Sequence, residues 1–203
     1  MKAQTKESQD KLTAAAAIQI LKDGNDRFVA SNKAERNLLE QVGDTSGGQY
    51  PFAAVLSCID SRVPAEIVFD QGIGDIFSAR VAGNIINEDI LGSIEYACKV
   101  AGSKAIVVLG HSKCGAVTAA CKGVELGNIT ALLSKIQPAV NEIKPTVDEF
   151  TPEAIETVSE ANVKHSIENI RKESPILAEM ESNGEIEIVG AIYHVESGKV
   201  SWL

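Results

Sequence analysis

Hydrophobic positions along this chain follow two rhythms. Between Thr13 and Ser31, Ala14, Ile18, Leu21 and Phe28 recur at helical spacing with Asp23, Asn25 and Asp26 between them, which predicts an amphipathic helix. The stretch Asn37–Tyr50 ends in Gly43-Asp44-Thr45-Ser46-Gly47-Gly48 and is expected to be a connecting loop, so residues 1–45 read as an N-terminal helical arm. After it come short apolar runs at Ala53–Ser57, Ile76–Val81, Ala105–Leu109 and Ile186–Val195, separated by helical periodicity or turn residues. Alternation of this kind predicts the α/β class: a mostly parallel central sheet flanked by helices. Residues 46–203 would form the core, joined with the arm in a single domain over 1–203.

The intervening helices carry start and stop signals. Asn87 is a natural N-cap for a helix with Ile90, Ile94, Ala97 and Ala101 on one stripe, closed by Gly102. Another begins at Cys114-Gly115, Thr151-Pro152 opens a long one, and Ser174-Pro175 opens one that stops at Asn183-Gly184. The last residues, 190–202, read as a hairpin around Ser197-Gly198 at a sheet edge. His165 falls in a helix and His194 in the last strand, both structural positions.

Composition then removes whole classes of function. With 19 Lys+Arg against 28 Asp+Glu, the formal charge is −9. Without a basic cluster, neither nucleic acid nor an anionic membrane surface is a suitable partner. No apolar run approaches the ~18–20 residues that span a bilayer. The polar start Met1–Asp10 is unlike a signal peptide, so a cytoplasmic location is expected; a leader cleaved from the chain would make it periplasmic instead. Four scattered cysteines in 203 residues do not make a disulfide framework, which leaves metal, catalytic or core thiols.

Two segments put metal-ligand side chains just past the carboxyl ends of predicted strands, where open α/β sheets place their sites. One is Cys58-Ile59-Asp60-Ser61-Arg62; the other is His111-Ser112-Lys113-Cys114-Gly115. His111 and Cys114 span a strand-to-helix turn, and Cys58 joins them if the two strands are neighbours. Two sulfurs and an imidazole favour zinc over oxygen-seeking magnesium or calcium, and three donors leave a fourth position open, as in catalytic rather than structural sites. Cys114 at a helix start and Arg62 near Cys58 would each favour a thiolate. Taken singly, each feature has a plainer reading as a packed cysteine, a chance HxxC pair or a surface ion pair; their joint occurrence favours a metal centre. Cys98 and Cys121, inside helical patterns, are assigned to packing.

These two segments resemble the signatures of the β-class carbonic anhydrases. The resemblance continues through Ala79-Arg80-Val81-Ala82-Gly83-Asn84 and Gly92-Ser93-Ile94-Glu95-Tyr96-Ala97 to Gly190-Ala191-Ile192-Tyr193, covering nearly all of the chain after the arm. It implies a zinc lyase interconverting carbon dioxide and bicarbonate, with one Zn2+ per chain on Cys58, His111 and Cys114. It also implies a homodimer or homotetramer whose arms embrace the neighbouring subunit. Gln49, Phe77 and Tyr96 match the plant-like, open-site subgroup, in which an Asp60–Arg62 pair leaves water on the metal. Tyr96 also lies about 240° around its helix from Ile90, off the apolar stripe and free to face a neighbour. In the mechanism implied, Asp60 orients the attacking oxygen, Arg62 holds Asp60, Gln49 donates to the substrate, and Phe77 and Tyr96 line an apolar pocket. No proton shuttle is legible. Two competing readings are hydrolysis of carbon disulfide or carbonyl sulfide on the same scaffold, and a non-catalytic zinc or redox sensor. The sensor would need a fourth Cys or His to close the site.

Overall fold

Strands form where the chain can bury both faces. In the computed structural model, which describes residues 1–203, β1 (Ala53–Ser57) and β3 (Ala105–His111) are buried at every position. They lie side by side in the middle of a five-stranded sheet of order β2-β1-β3-β4-β5, with β2 at Ile76–Arg80, β4 at Glu187–Tyr193 and β5 at Val200–Trp202. The first four strands are parallel, and β5 returns antiparallel to β4 around the expected turn. Successive side chains go to opposite faces: Ala53, Val55, Ala105 and Val107 pack with α2 (Ala14–Val29) and α4 (Ala65–Val68), while Leu56, Ile106 and Val108 pack on the other face. That second face is covered by α5 (Glu88–Glu95), α9 (Pro152–Glu173) and α10 (Pro175–Ser182). Thr13, Asn87, Thr151 and Ser174 cap their helices through side-chain oxygens, as their sequence positions predict.

Several elements differ from expectation. Leu38–Thr45 is a helix, α3, rather than loop: the Asn37 side chain caps it by accepting the Glu40 N–H at 3.2 Å. Its apolar residues Leu38, Leu39 and Val42 are exposed, so no stripe points to this chain's core. A short helix α1 (Lys6–Asp10) precedes α2 in the arm. Between α6 (Gly115–Cys121) and α9 lie two further helices, α7 (Gly127–Leu133) and α8 (Gln137–Ile143). After α5 the chain widens into a π-helical turn over Tyr96–Val100; Leu91, Ile94, Ala97 and Cys98 face inward and Ile90 is half-buried. β4 ends at Tyr193, so His194 opens the final turn instead of lying in the strand.

The strand order places the site. From β1 the chain crosses to β2 on one side, and from β3 it proceeds to β4 on the other. The loops leaving the carboxyl ends of β1 and β3 therefore diverge and open a crevice between them. α9 closes against this region because Gly110 and Gly190 offer no side chain: a Cβ on Gly110 would come within 2.6 Å of Val163 on α9.

Candidate active site

Cys58 follows β1 directly, His111 ends β3, and Cys114 takes the N-cap position of α6. Because β1 and β3 pair in parallel, with Ser57 beside Leu109, all three converge on the crevice. The two sulfurs and an imidazole nitrogen lie within 4.8 Å of one another, and all three residues are buried. The His111 ring accounts for the third donor: Nδ1 lies 2.8 Å from the Ser112 carbonyl, whereas Nε2 is buried without any hydrogen-bond partner. With Nδ1–H committed to the carbonyl, the Nε2 lone pair is free to bind a metal. A buried polar atom left alone in this way is costly, and a zinc ion sharing the two thiolates would satisfy it. The donor set fits zinc, with bonds of ~2.3 Å to sulfur and ~2.0 Å to nitrogen.

Cys114 hydrogen-bonds to Cys58, which together with the Gly83 and Asp60 backbone N–H groups holds the Cys58 thiol well below its ordinary range. The same contact, with burial, pushes Cys114 well above an ordinary thiol. Arg62 grips Asp60 with Nε on Oδ1 at 2.9 Å and Nη2 on Oδ2 at 2.7 Å, while its own backbone N–H donates to Oδ1 at 2.9 Å. The Arg62 side chain keeps the Asp60 carboxyl well below the usual carboxylate range.

Other residues hold this arrangement that the sequence motifs did not single out for a role. Arg80, at the end of β2, donates to the carbonyls of Cys58 (3.0 Å) and Asp60 (2.6 Å) and so fixes the turn between them. Gly83 donates its N–H to Cys58 Sγ at 3.4 Å, and its carbonyl accepts from Asn162 Nδ2 at 2.8 Å. Arg80 and Gly83 lie within the stretch that carried the resemblance; Asn162 lies 79 residues from Gly83 and gave no local signal.

Gln49, Phe77 and Tyr96 are not gathered around these donors within one chain. Phe77 and Tyr96 do meet each other, edge to face, with centroids 6.2 Å apart. However, Phe77 lies beside Ala54, four residues before Cys58, or ~13 Å back along the strand. Gln49 is exposed and precedes the amino end of β1, beyond the full length of that strand from Cys58. Tyr96 is half exposed, as its position around the helix predicts. Cys98 is buried in the core, and Cys121 packs at the edge of the cluster formed by α6 and α8.

The fold and the three convergent donors define a metal-dependent α/β enzyme. A family model described as carbonic anhydrase matches residues 53–200. The chain is 37% identical over 190 residues to carbonic anhydrase 2 of Mycobacterium tuberculosis, covering 91% of this chain and 90% of the relative. It is also 37% identical over 187 residues to a carbonic anhydrase of Mycolicibacterium smegmatis, covering 91% of each. Among solved structures, the β-carbonic anhydrase CafA of Aspergillus fumigatus has a TM-score of 0.75 at 26% identity, covering 93% of this chain and 89% of that one. The chain belongs to the carbonic anhydrase family, in its β class. Its activity is accordingly the reversible hydration of carbon dioxide to bicarbonate, a carbonate dehydratase reaction, with zinc as cofactor. Hydrolysis of carbon disulfide or carbonyl sulfide is not favoured, and no fourth Cys or His joins the donors as a closed sensor site would need. No helix is long and apolar enough to cross a membrane.

Proposed function

We propose that Cys58, His111 and Cys114 hold the zinc, that Asp60 and Arg62 govern the reacting oxygen, and that the site is of the open, plant-like kind. The orphaned, buried Nε2 of His111 beside two thiols carries this reading. Zinc on these donors supplies the charge that makes a water nucleophilic near physiological pH; two thiolates cancel its formal charge, so activity rises toward alkaline pH. Asp60 accepts a hydrogen bond from the attacking water and so aims its lone pair at the substrate carbon. Arg62 keeps Asp60 ionised and, by occupying both carboxylate oxygens, holds it off the metal.

Gln49, Phe77 and Tyr96 contribute in this reading from a second copy of the chain. β2 is a sheet edge, and the apolar residues Leu38, Ile67 and Ile73 line an open cavity beside its Ile76. A homodimer joined at this edge covers that surface and brings Gln49 of one copy toward the donors of the other, where its amide N–H meets charge developing on a substrate oxygen.

The test is stopped-flow measurement of carbon dioxide hydration before zinc removal with dipicolinate, after it, and after zinc is restored. Activity lost and regained with the metal supports the reading, and hydration that survives complete zinc removal refutes it.

A further inference from the structure

We propose that Glu156 and Glu196 are positioning residues for this reaction: they hold the Lys113 turn so that its carbonyl stays on Arg62 and keeps Asp60 turned from the metal. The inference rests on the reading of Asp60 and Arg62 given above. Lys113 lies between His111 and Cys114 and adopts φ +53°, in the left-handed region that residues with a Cβ rarely enter. Such a conformation persists only where its surroundings over-determine it. Two carboxylates from distant parts of the chain do so here. Glu156, on α9, accepts the Lys113 backbone N–H at 2.8 Å. Glu196, in the turn after β4, takes Lys113 Nζ on one oxygen and the Ser112 hydroxyl on the other, both at 2.8 Å. Ser112 is tied further: its Oγ accepts the Val195 N–H and its own N–H donates to the Tyr193 carbonyl, both at 2.9 Å.

The consequence reaches Asp60 through Arg62. With the turn held, the Lys113 carbonyl accepts from Arg62 Nη2 at 3.3 Å, the same guanidinium that grips both oxygens of Asp60. Arg62 therefore rests on a support besides Asp60. If the turn relaxes, that support goes, and Asp60 becomes freer to compete for the metal's fourth position. The Lys113–Glu196 ion pair is half exposed, so its direct attraction is screened. What these carboxylates supply is backbone geometry, and neither belongs to the donor set.

The experiment is an azide titration of the cobalt(II)-substituted enzyme near neutral pH, followed by its visible spectrum, in wild type, Glu156→Ala, Glu156→Gln and Glu196→Ala. Azide enters an open fourth position and is excluded where a carboxylate has taken it. Both alanine variants are expected to weaken azide binding by about fivefold or more, with cobalt content unchanged. Glu156→Gln keeps a carbonyl oxygen for the Lys113 N–H and should bind azide like wild type. Unchanged affinity in both alanine variants would overturn the proposal, as would an equal loss in Glu156→Gln. Failure of the wild type to bind azide would instead bring down the open-site reading and this inference with it. Should Glu156→Ala not fold, Glu196→Ala, at an exposed turn, decides the matter alone.

Discussion

Replacing Gly83 with alanine tests how rigidly the backbone beside Cys58 is held. Gly83 has φ +68°, donates its N–H to Cys58 Sγ at 3.4 Å, and gives its carbonyl to Asn162. A Cβ at this position would lie 2.6 Å from Ile136 Cδ1 and 3.4 Å from Ala116 Cβ, and Ile136 is completely buried. The left-handed conformation costs about 1–2 kcal/mol once a Cβ is present. Crowding a packed core adds about 1–3 kcal/mol. Together they predict a loss of about 2–5 kcal/mol, which in a chain of this length lowers Tm by roughly 4–20 °C. Thermal melting of the zinc-loaded protein measures it. The second-site change Ile136→Val removes the atom that the new methyl strikes, so the double variant should regain the crowding part and keep only the conformational part. A Gly83→Ala protein melting within about 2 °C of wild type would show that this backbone yields to a Cβ at little cost.

Three further outcomes are expected. Arg62→Ala should lower turnover by roughly 10–100-fold while zinc stays bound, since it frees Asp60 without touching a donor; wild-type turnover at alkaline pH would reduce the pair to a structural ion bridge. Asp75 is buried, with Oδ2 on the Gly72 N–H at 2.7 Å and Oδ1 unpartnered, and burial pushes its carboxyl up. A raised folded-state pKa means that stability declines as pH rises from the ordinary carboxylate range (~4) through the raised value. Asp75→Asn should therefore stabilise the protein near neutral pH and not at pH 3, and chemical denaturation at the two pH values checks the sign. Gln49→Ala and Cys58→Ala chains, each nearly inactive alone, should regain activity when unfolded and refolded together, because one of the two sites in a mixed dimer is then complete; mixtures as inactive as their parts would place Gln49 outside the site.

What was legible in the sequence follows from where the determining contacts lie. β1 and β3 could be read because strands covered on both faces are continuous apolar runs. β3 reads two residues short because Gly110 leaves its place to Val163 of α9 and His111 is polar, so the hydrophobic signal stops before the strand does. α3 reads as loop because Leu38, Leu39 and Val42 serve no core in their own chain. The inward stripe runs through Leu91, Ile94 and Cys98, one position on from a count that starts at Ile90, so Ile90 lies only half-buried. Soft donors beyond strand ends were visible as local motifs. The residues that hold them were not: Ser112 meets Glu196 across 84 residues and Lys113 meets Glu156 across 43, pairings made by the fold alone. Gln49 was readable by its spacing from Cys58, but no spacing could tell that β1 separates the two within one chain.

The most direct test of the central claim is the zinc-to-chain ratio, by elemental analysis, of wild type and the Cys58→Ala, His111→Ala and Cys114→Ala variants after dialysis against a weak chelator. A ratio near one is expected for wild type and a large loss in every variant, because each removes one of only three protein donors. Any of the three retaining a full equivalent of zinc would contradict it.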